Sequence, residues 1–246
     1  MIKKIKNEIN NYVDSRLKAL FNKQKRLSQI QFNYTQLNQL FSDTPAYIPL
    51  TKWAISPSTI AHVLNDIIVE DRKNIIEFGS GASTVYIAKL LKTNKIKASF
   101  FSVESSPDWA MKITKQLELL GLSDFVTVII APIKSIKSSF ALGEQKVWYD
   151  IDVLCDRLIS VNNIDIVLVD GPYGGLTPHA RYSAIPFLKD KLAENYSIFL
   201  DDVHRKGEKN IIESWETTLN CKAKIIERYA VLNNNEEFFS KPFQLK

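Results

Sequence analysis

An acidic residue and two glycines that could bind a ligand stand together in the stretch "IIEFGSGAST" of this 246-residue chain. Gly79 and Gly81 follow directly on the apolar run that contains Glu77. Two glycines let the backbone approach a ligand closely and adopt positive φ. A dinucleotide site would place a third glycine at position 84, which is Thr84 here. A carboxylate ahead of the turn repels a phosphate and favours a ligand with positive charge or an amino donor at that spot.

A second acidic residue, Glu104, ends the apolar run in "FFSVESS". A carboxylate at the tip of a strand can accept hydrogen bonds from both hydroxyls of a ribose. Each hydrogen bond to a charged group contributes about 1.5–3 kcal/mol. Taken with the glycine turn, this acid predicts a site for a ligand that carries a ribose and a cationic or amino group, and the carboxylate ahead of the turn disfavours a phosphate.

Three aspartates follow two later apolar runs, Asp170 in "VLVDGPYGG" and Asp201 and Asp202 in "FLDDVHR". Carboxylates at adjacent strand tips repel one another and lose hydration, and a divalent cation relieves both costs. Ligands that are all oxygen favour Mg²⁺. The alternative is that the three acids have separate roles: one caps a helix, one forms a salt bridge and one faces solvent.

Two histidines are placed as candidate proton acceptors, because both lie in loops expected to overhang the same cleft. His204 stands two residues after the aspartate pair, and His179 begins a helical segment. A neutral imidazole near pH 7 can remove a proton from a hydroxyl. We predict His204 as the base and His179 as a neighbour of substrate or metal. Arg181 and Arg205 either pair with the acids or hold an anionic substrate such as a uronate or phosphate.

These residues must be positioned by alternating strands and helices, which predict a parallel sheet with helices on both faces. Strands are predicted at 75–78, 98–103, 126–130, 164–169 and 196–200, and helices at 83–92, 107–120, 151–160, 178–192 and 207–219. An earlier helix should begin at "SPSTIAHV", with Ser56 as N-cap and His62 as a core or surface histidine without a catalytic role. Segments 222–232 and 236–243, separated by an Asn-rich turn, predict a terminal antiparallel hairpin.

The quoted motifs, in this order, resemble class I S-adenosylmethionine-dependent methyltransferases over about residues 53–240. The resemblance implies a Rossmann-like sheet of seven strands with a reversed terminal hairpin, and S-adenosylmethionine as cofactor. By that resemblance Glu77 and the turn through Ser80 hold the methionine part of the cofactor, and Glu104 holds the ribose. Ser83 replaces a glycine that many members have. The other implied cofactor contacts are Gly79, Gly81, Ser83, Thr84, Ser105, Ala131, Pro132 and Asp170, with Ala131 and Pro132 beside the adenine.

The aspartates give a closer likeness to metal-dependent small-molecule O-methyltransferases. The likeness implies Mg²⁺ on Asp170, Asp201 and Asp202, and a catalytic role for Asp170 beside the two histidines. The substrate expected is a hydroxyl of a sugar, glycan or small metabolite. Methylation of a nitrogen or protein acceptor, and a non-catalytic nucleoside-binding module, stay open as alternatives.

The excess positive charge of the chain, +5, is confined to its N-terminus. Residues 1–45 hold eight basic and three acidic residues, whereas residues 46–246 hold 24 of each. We therefore expect a basic amphipathic helical extension over 1–45, a catalytic domain over 46–246 and no nucleic-acid partner. The helix could dock on the domain, pair in a homodimer or lie on a membrane surface. Two isolated cysteines and no secretory signal predict a cytoplasmic protein.

Overall fold

The computed structural model describes residues 2–44, 46–234 and 240–244, and of residues 2, 3 and 5 the backbone alone. The helices are α1 (Ile2–Gln39), α2 (Pro57–Val69), α3 (Ala82–Thr93), α4 (Pro107–Leu119), α5 (Ile151–Arg157), α6 (Ala184–Leu188) and α7 (Lys206–Leu219). The strands are β1 (Asn74–Phe78), β2 (Ser99–Glu104), β3 (Thr127–Ile130), β4 (Ile133–Ser135), β5 (Val147–Tyr149), β6 (Ile164–Val169), β7 (Leu192–Leu200), β8 (Ala223–Ile226) and β9 (Tyr229–Asn233).

Seven strands form one sheet in the order β3-β2-β1-β6-β7-β9-β8. The first five strands of that order are parallel, and β9 runs antiparallel to both β7 and β8. The chain moves outward from β1 in one direction through β2 and β3, and then returns to β1's other side with β6. The predicted Rossmann-like fold, with its reversed terminal hairpin, is confirmed.

The core lies on both faces of the sheet because the central strands are apolar on both sides. Ile75 packs in a cluster with α2, α3 and α4, whereas its neighbour Ile76 packs in a second cluster on the opposite face. Alternation of side chains along a strand makes this separation necessary. The helix α2 begins as predicted: the Ser56 hydroxyl accepts a hydrogen bond from the Thr59 amide (3.1 Å), and Pro57 is the first helical residue.

Three local predictions were wrong. The terminal hairpin reverses between β8 and β9, at Glu227 and Arg228, and not at the Asn-rich segment. Glu227 has a φ of 53°, and the reversal carries Arg228 to acidic residues at the carboxyl edge of the sheet. Residues 236–239 of the predicted second strand lie outside the described residues. The helix predicted over 178–192 contains only the short α6, and the strands β4 and β5 form a small hairpin that the pattern did not indicate.

The C-terminal part of the long helix α1 packs on α2, while its N-terminal part projects from the domain. Asn33 Nδ2 donates to Ser58 Oγ at 2.9 Å, and Leu37 is buried in the core. Residue 4 and residues 6–27 are all exposed. Docking on the domain, one of the three roles left open for this helix, therefore describes its C-terminal part alone. Among the described residues, no helix has the length and apolar content required to cross a bilayer.

Candidate functional site

A cavity of about 490 Å³ opens at the carboxyl ends of β1, β2 and β6. This is the place where the strand order reverses, between β1 and β6. Ligands of open α/β sheets bind at such a position because two neighbouring loops leave in opposite directions. The glycine turn, Glu104 and Asp170 all line this cavity, so the structure brings together residues that are far apart in sequence.

The two glycines of the turn have different reasons to be glycine. Gly79 has a φ of 98°, and a Cβ added there would lie 2.8 Å from the backbone nitrogen of Gly171. Gly79 is therefore needed for the packing of two loops. A Cβ on Gly81, the N-cap of α3, would meet no atom within 4 Å. Because Gly81 lines the cavity, its missing side chain keeps the helix N-terminus open to a ligand.

Glu77, predicted to contact the cofactor, lies behind the cavity wall, outside the residues that line it. Its side chain is fully buried, and hydroxyl groups of Ser83, Thr84 and Ser102 donate hydrogen bonds to the carboxylate. Burial raises the pKa of Glu77 to about 7, although the three hydroxyls lower it. Thr84 also lies outside the cavity lining, since its hydroxyl serves the turn: it accepts a hydrogen bond from the Gly81 amide at 2.8 Å.

Glu104 has the position that the sequence predicts, on the cavity wall at the end of β2. Its Oε1 accepts hydrogen bonds from the Ser106 amide (2.8 Å) and from the Ser105 hydroxyl (3.3 Å). In the part of the chain that the structure describes, Oε2 has no such partner. One carboxylate oxygen is thus fixed by the loop, and the other remains for a ligand that donates hydrogen bonds.

Two further aromatic residues, Trp109 and Tyr149, line the cavity, and Trp109 was missed in the sequence. The Trp109 indole nitrogen donates to the Ser80 carbonyl at 2.8 Å, which ties α4 to the glycine turn, and the ring lines the cavity. Tyr149 is fully buried, and its hydroxyl lies against Gly171. Burial raises the pKa of Tyr149 well above its ordinary value. A tryptophan five residues after the strand-end acid was the available signal for Trp109. For Tyr149 the sequence left two interpretations open, a lid or sugar-stacking surface and packing at the start of a helix.

Ala131 and Pro132, predicted to lie beside the adenine, are absent from the described cavity wall. Ala131 is fully buried and its amide donates to the Glu104 carbonyl at 2.8 Å. Pro132 is exposed, and its carbonyl accepts from the Asp150 amide. The chain continues from β3 into the β4–β5 hairpin, so these residues extend the pairing of strands and turn away from the cavity.

The three aspartates converge as predicted. One carboxylate oxygen from each of Asp170, Asp201 and Asp202 lies within 4.8 Å of the others, and Asp170 and Asp202 line the cavity. Asp201 is fully buried and Asp202 is almost so. Burial raises the pKa of Asp170 to about 8, while Arg181 lowers it and the two neighbouring carboxylates raise it further.

Arginines already neutralise this acidic cluster. Arg181 Nη2 lies 3.0 Å from Asp170 Oδ1 and 3.2 Å from Asp202 Oδ2. Arg228 contacts both Asp201 and Asp202, and Arg205 lies 2.9 Å from Asp202. Three guanidinium groups therefore balance three carboxylates, and most of the oxygens a cation would need are engaged. The cluster has the spacing of a metal site without its surplus negative charge, and as it stands it does not fit a divalent cation.

Neither histidine predicted as a proton acceptor reaches the cavity wall that the structure describes. His179 Nδ1 lies 3.2 Å from the Leu142 carbonyl, and Nε2 lies 3.3 Å from Asn210 Nδ2. Both ring nitrogens therefore have partners in the protein. His204 is exposed, because the backbone after Asp202 turns its side chain outward.

The mouth of the cavity carries two exposed aromatic rings. Trp53 and Tyr173 are 64% and 63% exposed, and their ring centroids are 5.7 Å apart in an edge-to-face arrangement. Lys52 Nζ lies 4.9 Å from the centre of the Trp53 ring. Because large aromatic side chains are usually buried, this exposed pair indicates a surface that another molecule covers.

Comparison with known proteins agrees with this geometry. A family model described as a methyltransferase domain matches residues 76–203, which include the end of β1, the glycine turn and all three aspartates. No curated protein sequence matches the chain.

Solved structures share the fold at low sequence identity. An O-methyltransferase from Bacillus cereus in complex with SAH is similar with a TM-score of 0.51 and 14% identity, over 84% of this chain and 90% of that one. The O-methyltransferase TomG from Streptomyces achromogenes, in complex with SAM, has a TM-score of 0.51 and 13% identity, over 82% and 90%. Precorrin-6y C5,15-methyltransferase from Geobacter metallireducens has a TM-score of 0.53 and 15% identity, over 78% of this chain and 94% of that one. At these identities the likeness shows the fold alone.

Proposed function

This chain belongs to the family of methyltransferase domains and is an S-adenosylmethionine-dependent methyltransferase, and on that premise we propose that it methylates a hydroxyl group of a sugar, glycan or other small metabolite. The family follows from a match over more than half of the chain. The cavity at the strand switch point supports the cofactor assignment, and the aromatic mouth supports the acceptor.

The residues of the cavity fit S-adenosylmethionine. Glu104 Oε2 would accept hydrogen bonds from the ribose hydroxyls, and the open N-terminus of α3 at Gly81 would receive the carboxylate of the methionine part. Trp109 would flank the base, since its ring lines the wall next to Ser105. When bound, the cofactor supplies an electrophilic methyl group on a sulfonium.

Asp170 is the predicted catalytic residue that lies in the cavity. Arg181 holds its Oδ1, and Oδ2 has no hydrogen-bond partner among the described residues. We propose that Oδ2 accepts the proton of the acceptor hydroxyl. Because burial raises the pKa of this carboxyl, the group is a stronger base than an exposed aspartate. Holding the hydroxyl in one orientation is the larger contribution, since in-line transfer depends on alignment.

The acceptor would bind at the mouth, between the aromatic pair and the cluster. A sugar ring can stack on Trp53 or Tyr173, whose rings are exposed for contact. Lys52 and Arg205 also line the cavity, so an acceptor with an acidic group would find cations near the rings. Mg²⁺ remains a prediction from the sequence, and no step of the proposed transfer depends on it.

The observation that carries the proposal is Glu104 with one carboxylate oxygen available in the cavity. Calorimetry should show that S-adenosylhomocysteine binds the wild type and that Glu104→Gln weakens binding by about 10- to 100-fold. Glu118→Gln on the exposed face of α4 is the matched control and should bind as the wild type does. Absence of binding to the wild type would refute the cofactor site.

A methyl-transfer assay with labelled donor over glycans and phenols then tests the acceptor class. Transfer to a hydroxyl supports the proposal. Transfer to amines or proteins instead would establish the nitrogen alternative. Tight cofactor binding without transfer to any of these acceptors would favour the non-catalytic module.

A further inference from the structure

The N-terminal part of α1 is a helical arm whose described side chains are all exposed. We define the arm as residues 4–27, which at about 1.5 Å per residue spans roughly 36 Å. The following residues fix its base: Gln29 Nε2 donates to the Phe243 carbonyl at 2.6 Å, and the rings of Phe32 and Phe243 are 5.7 Å apart. The arm is therefore anchored to the catalytic domain at one end.

The arm combines large exposed apolar side chains with a strong positive charge. Seven basic and two acidic residues give it a net charge of +5, while residues 46–246 are balanced. A soluble surface rarely exposes so many large apolar residues on a single element. The exposed apolar residues are Ile9, Tyr12, Val13, Leu17, Leu20, Phe21 and Leu27, between 46% and 72% exposed.

Pairing with a second copy of the arm is disfavoured by its charge. Residues 4–27 carry a net charge of +5, so two arms side by side would repel one another. Arg16 and Lys23 follow Ile9 at intervals of seven residues and border the line of Val13, Leu20 and Leu27. They would therefore flank a seam built on those apolar residues and add to the repulsion.

We propose that the arm binds the surface of a bilayer that contains anionic lipids. The apolar side chains would enter the boundary between headgroups and acyl chains, with the helix lying along the membrane plane. Arg16 and Lys23, although on the apolar side, have long side chains that can extend to lipid phosphates. An anionic bilayer matches both the positive charge and the apolar surface of the arm. A neutral membrane would match the apolar surface alone, and a polar partner would match the charge alone.

Flotation of the full chain with vesicles tests this proposal. We expect binding to an equimolar mixture of phosphatidylglycerol and phosphatidylcholine and weak or no binding to phosphatidylcholine alone. The double variant Arg16→Glu/Lys23→Glu should reduce partitioning by about tenfold or more. The double variant Leu17→Asn/Leu20→Asn should reduce it comparably, because apolar insertion is lost.

Matched changes on the exposed face of α4 control for charge and polarity. Lys112→Glu/Lys115→Glu and Leu119→Asn alter exposed residues outside the arm and should leave flotation unchanged. Sedimentation without lipid should give the mass of a monomer. A stable dimer that Leu17→Asn/Leu20→Asn dissociates would overturn the proposal in favour of a second copy. Equal flotation with neutral and anionic vesicles, or none with either, would also overturn it.

Discussion

The Thr84 hydroxyl donates a hydrogen bond to the buried carboxylate of Glu77 while it accepts one from the Gly81 amide. Through this side chain, the carboxylate at the end of β1 fixes the first turn of α3. Ser83 and Ser102 donate to the same carboxylate, which offsets part of the cost of burying it. Glu77 is therefore a positioning residue that shapes the cofactor turn from behind.

Replacing this carboxylate should change how folding stability depends on pH. Burial raises the pKa of Glu77 from 4.5 to about 7. Between these values the unfolded chain has released a proton that the folded protein keeps, so the wild type loses stability as pH rises through the window. In Glu77→Gln that loss is absent. As pH rises from 4.5 to 7, the free energy of unfolding of the variant should therefore increase relative to that of the wild type by up to about 3 kcal/mol.

Urea denaturation over this pH range measures the difference. Glu118→Gln removes an exposed glutamate from α4 and should run parallel to the wild type. If Glu77→Gln also ran parallel, the carboxyl would titrate normally and the hydroxyl cage would stabilise the ionised form.

The sequence predicted the parts of the site that depend on where strands end. Gly81, Glu104 and Asp170 meet because the carboxyl ends of parallel strands share one edge, and sequence motifs mark those ends. Glu77 and Ala131 stand beside the same edge and yet do not reach the cavity. Side chains alternate along a strand and the following loop, so an error of one residue reverses the predicted direction.

The arginine partners of the aspartates were harder to predict than the acids. Arg228 lies in the turn after β8, whereas the sequence predicted the turn at the Asn-rich segment. From there it contacts Asp201 and Asp202 across the sheet. Arg181 was noted as a neighbour in sequence, and pairing with acids was one of the alternatives left open. Such long-range pairing depends on the order of strands, which local patterns do not contain.

Removing the aromatic rings at the mouth should weaken acceptor binding and spare the cofactor. Trp53→Ala and Tyr173→Ala remove exposed rings 5.7 Å apart, so the fold should persist. We expect KM for the acceptor to rise by roughly tenfold each with kcat little changed, because contacts away from the reacting atoms bind substrate and transition state alike. Steady-state kinetics and calorimetry with S-adenosylhomocysteine measure the two effects.

Tyr47→Ala, which removes an 81% exposed ring outside this cavity, is the control for the loss of an aromatic residue. Should cofactor affinity fall as much as acceptor affinity in Trp53→Ala, the ring belongs to the cofactor site and the acceptor assignment fails.

Acid should unfold the protein partly through His62, which is fully buried. His62 Nδ1 lies 2.8 Å from the Tyr229 hydroxyl, and the ring packs on Phe199. Burial, together with a smaller effect of the charge of Lys241, lowers the pKa of His62 to about 3. The unfolded chain takes up a proton near pH 6.5, which the folded protein cannot, so stability falls as pH decreases from 6.5 towards 3.

The variant His62→Gln should lack this loss and show a shallower decrease in the free energy of unfolding below pH 6.5. His204→Gln, at an exposed position, should decrease as the wild type does. Urea denaturation at several pH values compares the three proteins. An unchanged slope in His62→Gln would mean that other groups account for acid unfolding.

The aspartate cluster should bind a divalent cation more tightly once an arginine is removed. Arg228 contacts Asp201 and Asp202, so Arg228→Gln leaves both carboxylates with surplus negative charge and available oxygens. We expect Mn²⁺ to bind this variant at least about tenfold more tightly than the wild type, a difference of about 1.4 kcal/mol. Arg157→Gln, on the exposed face of α5, should match the wild type.

Calorimetry with Mn²⁺ measures the affinities, and urea denaturation confirms that each variant is folded. Tight binding to the wild type that Arg228→Gln leaves unchanged would show that cation and arginine coexist, and the Mg²⁺ prediction would then hold against the ion-pair interpretation. Weak binding to the wild type with a gain in the variant means that guanidinium groups occupy the position a metal would take, because three positive charges already balance the three carboxylates.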